Sequence, residues 1–292
     1  MIDLHIHTNH SDGTWTTREL LEAAELNKLE VISITDHDGL AAYDDLKEID
    51  YKKIYSGTII PGIEFSSVYD GIYFHFLAYD FEVEKLKPYV EKYYSKRPDM
   101  EIEFKLMYEN GIKYGLKLDD NIFHKDKYIW PIDQLFDEAH KYEENKKFFD
   151  ENTWNDVNKF FKYANSNKNF PFYFDMSVHY PTADITAKAV REAGGKTFIA
   201  HVYKCGIDNH IEFLDKLREN NIIDGVECQN SAFKEGNRET LEEYCKKYNL
   251  LMSGGSDCHG LKKPDRKIGV GYDNICVEKD VLEGWNLKNI LK

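Results

Sequence analysis

Nine side chains in this sequence carry atoms suited to holding a divalent cation: His5-x-His7, Asp12, His37, Glu64, His75, His201 and Asp257-x-His259. Alternate residues of a strand point to one face. His5 and His7, at the end of an apolar stretch, therefore share a face, and the same spacing predicts a shared face for Asp257 and His259. Neutral imidazoles mixed with carboxylates suit Zn, Mn or Fe. A lone His-x-His pair says little. Two such pairs, with five further candidates each ending or following a short apolar segment, point to one metal centre assembled from strand ends.

The elements that must position these residues can be read from local patterns. Ile2–Ile6 reads as a strand. Thr16-Thr17-Arg18-Glu19 is a capping box opening a helix to about Lys28. Val31–Thr35 is a strand ending at Asp36-His37, and Leu40 to about Asp50 is a helix. Thr58–Ile60 and Ile63–Phe65 flank a Pro-Gly break and form the next strand, and Tyr73–Ala78 reads as another. From about Glu82 to Phe174 the chain becomes rich in lysine, glutamate and aromatic residues and reads as several helices. The alternation resumes with a helix over Thr182–Ala193 closed by Gly194-Gly195 and a strand over Lys196–Ala200. A helix from Ile211 to about Asn220, a strand over Ile223–Glu227, a helix over Arg238–Tyr248 and a strand over Leu250–Ser253 follow. Repeated strand–helix units predict a parallel α/β sheet. About seven strands would close a barrel with the candidates at its carboxyl-end mouth. The expected organisation is a barrel over residues 1–81 and 176–292, with a helical insertion over 82–175 capping the mouth.

These residues carry a family resemblance. Asp3-Leu4-His5-Ile6-His7-Thr8 with Ser11-Asp12-Gly13 resembles the first motif of the polymerase-and-histidinol-phosphatase (PHP) family. Ile34-Thr35-Asp36-His37-Asp38 resembles the second, and Pro61-Gly62-Ile63-Glu64 with His75 the third. Ala200-His201 and Gly255-Ser256-Asp257-Cys258-His259-Gly260 resemble the last two. The likeness covers roughly residues 1–80 and 180–272. It is strongest to bacterial phosphoesterases of nucleoside phosphates that carry a helical insertion. The family often has Pro after the penultimate motif's His, where this chain has Val202.

The resemblance implies a distorted (β/α)7 TIM-like barrel holding two to three divalent metal ions (Mn, Fe or Zn). It distributes the ligands as His5, His7, Glu64 and Asp257; Asp12, His37 and His259; and Glu64, His75 and His201, with Glu64 bridging. It implies hydrolysis of a small phosphomonoester, a nucleotide such as a 3′,5′-bisphosphate or a nucleoside monophosphate, by attack of metal-bound hydroxide. Histidinol phosphate phosphatase, a polymerase-associated exonuclease and a non-catalytic metal-binding module are the rival readings. Three further residues are candidates for the chemistry. Asp36 could orient a ligand or bind metal directly, His179 could approach the leaving group, and Lys204 could hold phosphate.

Other residues have plainer readings. His10 lies near the first motif, but Asp12 fits the ligand position better. Arg191 reads as a solvated helix residue. Lys262, Lys263 and Arg266 form a basic loop that is either solvated or receives a second phosphate or a base. Cys258 should point away from its flanking ligands. Trp130, Phe148, Trp154 and Phe160 read as insertion core. The 292 residues, 42% of them hydrophobic, suit one large α/β domain. The net charge of −14 disfavours duplex nucleic acid as a partner, although bound metals could still attract a small phosphorylated metabolite. Five cysteines without CxxC spacing suggest no disulfide framework. With no secretory or transmembrane pattern, the expectation is a cytoplasmic protein off the membrane.

Overall fold

The computed structural model describes residues 1–95, 100–120, 122–124, 131–205 and 207–291. The chain opens with β1 (Ile2–Ile6), α1 (Thr17–Leu26), β2 (Val31–Ile34), α2 (Ala41–Glu48) and β3 (Thr58–Ile59). The Thr16 side chain accepts the Glu19 N–H and the Glu19 carboxylate accepts the Thr16 N–H, the reciprocal box expected at the start of α1. β4 (Gly62–Tyr69) and β5 (Ile72–Tyr79) follow, then α3 (Val83–Tyr94), α4 (Met100–Tyr114), α5 (Pro131–His140), α6 (Glu151–Trp154) and α7 (Val157–Ser166). The remainder is α8 (Ala183–Glu192), β6 (Lys196–Ile199), α9 (His210–Glu219), β7 (Gly225–Asn230), α10 (Asn237–Tyr248) and β8 (Leu251–Gly255).

The expected strands and helices are present except that the strand expected across the Pro-Gly break is two, β3 and β4, in different sheets; among the described residues the strands form two sheets and no closed barrel. One sheet is β1-β2-β3, all parallel; the other is β4-β5-β6-β7-β8. In the second, β5 runs antiparallel to both β4 and β6, and only β6-β7-β8 are parallel. The cause is local. Asp70 and Gly71 both take positive φ (52° and 74°) and form a two-residue turn. So short a connection can join only antiparallel neighbours. The sheets touch at isolated bridges, Ile6 to Cys258 and His37 to Glu64. Both seams thus coincide with the predicted ligand motifs.

Helices α1, α8 and α9 turn Leu20, Leu21 and Ala24, Ala187 and Val190, and Phe213, Leu214 and Leu217 onto the sheets. Each fully buried leucine of this kind contributes about 1.5–3 kcal/mol. A smaller cluster of Ile2, Leu4, Tyr79, Phe198 and Trp285 backs the opposite side of the strands. Within residues 82–175, α3 buries Leu86, Val90 and Tyr94 in the main core. From α4 onward a second core forms around Phe104, Met107, Ile132, Leu135, Trp154, Phe160 and Phe172. It is rooted on the sheet through Val68 of β4, and Phe148 packs on it. Trp130 lies outside the described residues. Among those residues no helix is long and apolar enough to cross a membrane.

Glu103 of α4 is 6% exposed, and burial pushes its carboxyl up to about 7 from an ordinary 4.5. Between those pH values the folded chain keeps a proton that the unfolded chain releases. Stability is therefore fully present below about 4.5 and falls as pH rises through 7. The cost at pH 8 is roughly 3 kcal/mol. Glu103→Gln should raise the urea midpoint at pH 8 and flatten the pH dependence between 5 and 7. Parallel wild-type and variant curves would contradict this.

Candidate metal centre

β1 carries Asp3 and His5 on one face, and His7 follows directly; all three side chains are buried. The Asp3 carboxylate accepts the Ser256 N–H (2.9 Å), the Ser256 hydroxyl (2.6 Å), the Gly269 N–H (2.7 Å) and the His5 N–H (3.3 Å). This ties β1 to the Gly-Ser-Asp turn after β8. Gly255 permits the approach, since a Cβ there would lie 2.4 Å from the His5 nitrogen and 2.5 Å from its Cβ. Asp257 lies beyond β8 with φ 56°, so a left-handed turn aims it into the site, not the strand alternation expected from its spacing to His259.

Glu64, on β4, is the centre of the cluster. Its Oε2 lies 3.0 Å from His5 Nε2, 3.2 Å from His7 Nε2 and 3.4 Å from His37 Nε2. Its Oε1 lies 2.8 Å from His201 Nε2 and 3.2 Å from His75 Nδ1. Asp257 Oδ1 stands 3.3 Å from His7 Nε2 and 3.7 Å from His5 Nε2. Asp12 Oδ2 is 3.2 Å from His259 Nε2, and Asp12 Oδ1 is 3.9 Å from His37 Nε2. All nine residues singled out in the sequence are therefore brought together.

Among the described residues, three overlapping groups have donor atoms mutually within 4.8 Å: His5, His7 and Glu64; His7, Asp12, His37 and His259; and His37, Glu64 and His75. They match the division implied by the resemblance in part: Asp257 is not in the first group, His7 joins the second, and His37 takes the place of His201 in the third. The donor set fits divalent cations. Both ring nitrogens of His7 and the Oδ1 of Asp12 are buried without a hydrogen-bond partner, which is costly for groups meant only to hydrogen-bond one another.

Charge compensation inside the cluster is strong. Burial pushes the Glu64 carboxyl up, but His37, His5 and His75 outweigh it and hold the group well below the carboxylate range. Burial of His7 favours its neutral form, yet the nearby carboxylates of Asp257 and Glu64 raise it to about 9. A cation that bound His7 near neutral pH would then compete with a proton for the ring.

A second layer holds these groups. The Asp36 carboxylate accepts the Thr8 N–H (2.7 Å), the Thr8 hydroxyl (2.6 Å) and the Ser11 hydroxyl (2.6 Å), so it fastens the loop carrying His7 and Asp12. The Tyr73 hydroxyl lies 2.7 Å from His75 Nε2. Lys204 Nζ and Arg266 both bind Asp257 Oδ2, at 2.8 and 2.6 Å. Arg266 is 6% exposed, so the solvated-loop reading does not hold for it. From the same loop, Lys262 reaches Asp12 and Lys263 reaches His259, each at 3.1 Å.

The remaining candidates sit elsewhere. His179 caps a short turn with its ring 5.0 Å from that of Phe174 and belongs to none of the three ligand groups. His10 pairs with Asp45 (2.7 Å) and Arg191 with Asp224 (3.1 Å). Cys258 is buried, and burial raises its thiol to about 11. The sequence reading passed over Glu227, which is completely buried and bonds His5. Its only signal was a carboxylate closing an apolar strand.

A buried carboxylate ringed by imidazoles on a mixed α/β scaffold defines a divalent-metal centre. The sequence profile of the PHP domain matches residues 3–259, and the chain belongs to the PHP domain family. A 5′-3′ exoribonuclease of Haemophilus influenzae is 23% identical over 278 residues, covering 88% of this chain and 89% of that protein. The 5′-3′ exoribonucleases Rnm of Salmonella typhimurium and Escherichia coli are 32% identical over 81 residues, and the match spans 28% of their length. Among solved structures, a protein of Bifidobacterium adolescentis assigned as a metal-dependent phosphoesterase superposes with TM-score 0.59 at 24% identity, covering 96% of this chain and 93% of that one. An amidohydrolase of Chromobacterium violaceum, with bound sulfate and no metal, gives 0.60 at 16% identity, covering 92% and 89%. Both share the fold.

Two outcomes follow from this packing. Gly255→Ala should force β8 away from His5 and lower Mn²⁺ affinity at least 10-fold, as read by titration; unchanged affinity would show that the close approach is unimportant. Zinc uptake at pH 7.5, measured calorimetrically in two buffers of different ionisation enthalpy, should release at least one proton. No buffer dependence would mean that His7 is already neutral.

Proposed function

We propose that the chain is a metal-dependent phosphoesterase that hydrolyses a small phosphomonoester, with a nucleotide such as a 3′,5′-bisphosphate or a nucleoside monophosphate as substrate. The observation that carries this is the set of three ligand groups sharing His7, His37 and Glu64, exposed to solvent at Asp12, His37 and His75. Divalent cations held there supply Lewis acidity toward a phosphoryl group and a nucleophile at neutral pH. The protein's own part is to fix the geometry. Glu64 draws five histidines to one point. Lys204 and Arg266 hold one oxygen of Asp257 so that the other faces His7, and Asp36 holds the loop bearing Asp12. Lys262 and Lys263 place positive charge at the rim, where an anion arrives. In this reading the helices of residues 82–175, built on β4, cap the mouth of the site.

A second reading is favoured by one observation. The exoribonuclease of H. influenzae aligns with nearly the whole of both chains, so the same centre could cleave successive phosphodiesters from the 5′ end of RNA. The acidic charge is weaker ground against a single strand than against a duplex.

A substrate panel separates the two. With Mn²⁺ present, a nucleoside 3′,5′-bisphosphate should lose phosphate, with ¹⁸O from labelled water entering that phosphate. A 5′-phosphorylated oligoribonucleotide shortened stepwise to mononucleotides would establish the second reading instead. Glu64→Gln should lower either activity by roughly 100-fold or more. No turnover of any phosphoester by metal-loaded protein would refute both.

A further inference from the structure

We propose that Glu227 is the positioning residue that sets the orientation of two ligands at once, the imidazole of His5 and the backbone of His201. The inference rests on the reading of the cluster as a metal centre.

Each oxygen of Glu227 has its own task. Oε1 lies 2.8 Å from His5 Nδ1, while His5 Nε2 faces Glu64 at 3.0 Å. A neutral imidazole carries one N–H. Both ring nitrogens face carboxylates, which only accept, so the two sides compete for that proton; with a cation held among His5, His7 and Glu64 the Nε2 lone pair would be taken by the metal, and the proton belongs on Nδ1 beside Glu227. Oε2 accepts the backbone N–H of His201 at 2.6 Å. His201 stands at φ 23°, a conformation unfavourable to a residue with a side chain. The hydrogen bond holds that turn in place, and the turn aims His201 Nε2 at Glu64 Oε1, 2.8 Å away.

The surroundings support one role for this carboxylate. Glu227 is completely buried, and a buried carboxylate must be matched by donors. A third donor, Asn230 Nδ2, reaches Oε1 at 3.2 Å. In a regular strand, residues three apart face opposite ways. The register of β7 against β8 shifts between Glu227 and Gln229, which lets Asn230 turn inward. β7 contributes no member of the three ligand groups, yet through Glu227 it governs ligands on β1 and after β6.

The test is Glu227→Gln, which keeps the shape but cannot accept on both sides. Thermal unfolding of the metal-free forms serves as the folding control. Mn²⁺ affinity by titration should fall roughly 10- to 100-fold. At fixed subsaturating metal kcat should fall in step, while KM for p-nitrophenyl phosphate stays within about twofold. Glu227→Asp should regain part of the affinity. Wild-type affinity and stoichiometry in a folded Gln variant would overturn the proposal. If that variant does not fold, the intact protein decides. Long-range ¹H–¹⁵N spectra with bound Zn²⁺ should show His5 protonated on Nδ1, and metal on Nδ1 would overturn it. Failure of the wild-type protein to bind any metal would refute the metal-centre reading itself, a result distinct from either.

Discussion

Five imidazoles converge on the two oxygens of one carboxylate, Glu64, which is removed from water. A single buried anion of this kind is unstable unless positive or hydrogen-donating groups surround it on every side. That requirement explains much of the architecture. β1 must bring His5 and His7 from one direction, the end of β2 must bring His37 from another, and β5 must carry His75 alongside. The antiparallel β4–β5 hairpin is the device that satisfies the last demand, because it sets Ser66 opposite His75 and Glu64 opposite Leu77. A parallel return would have needed a crossover and would have carried His75 elsewhere.

The layers around the cluster obey the same logic at lower cost. Asp3, Asp36 and Glu227 are buried carboxylates whose oxygens are taken up by backbone N–H groups, hydroxyls or a histidine. None of them needs a cation to be tolerated, and each fastens a different segment of the site. Asp257 is the exception, with Lys204 and Arg266 on one oxygen. It is the carboxylate at the junction between the ligand groups and the basic loop.

Much of this was legible in the sequence. Helix and strand positions followed from caps, glycines and apolar runs, and most of the nine clustered residues were readable from their place near strand ends, although Glu64 and His75 lie within β4 and β5 and Asp12 in the loop after β1. Three features were not legible, each for a physical reason. The antiparallel course of β5 depends on Asp70-Gly71, a turn signal easily lost between runs that both read as strands. Arg266 lies in a loop of charged residues, and only the fold shows that Asp257 draws it inside. Glu227 is one carboxylate in an apolar strand, and its partners lie far away along the chain, where local pattern carries no information. Asp257 reaches the cluster by a different route from the strand alternation its spacing suggested, since it lies past the end of β8 in a left-handed conformation.

The bridge from Ile6 to Cys258 joins the first strand to a segment translated near the end of the chain. During synthesis, the early portion leaves the ribosome with His5, His7, Asp12, His37, Glu64 and His75 already displayed, long before Asp257 and His259 exist. Until the Ile6–Cys258 seam closes, the cluster lacks Asp257 and His259, so the complete donor set exists only in the folded chain. Closure of the seam is thus a late, long-range event of the type that slows folding.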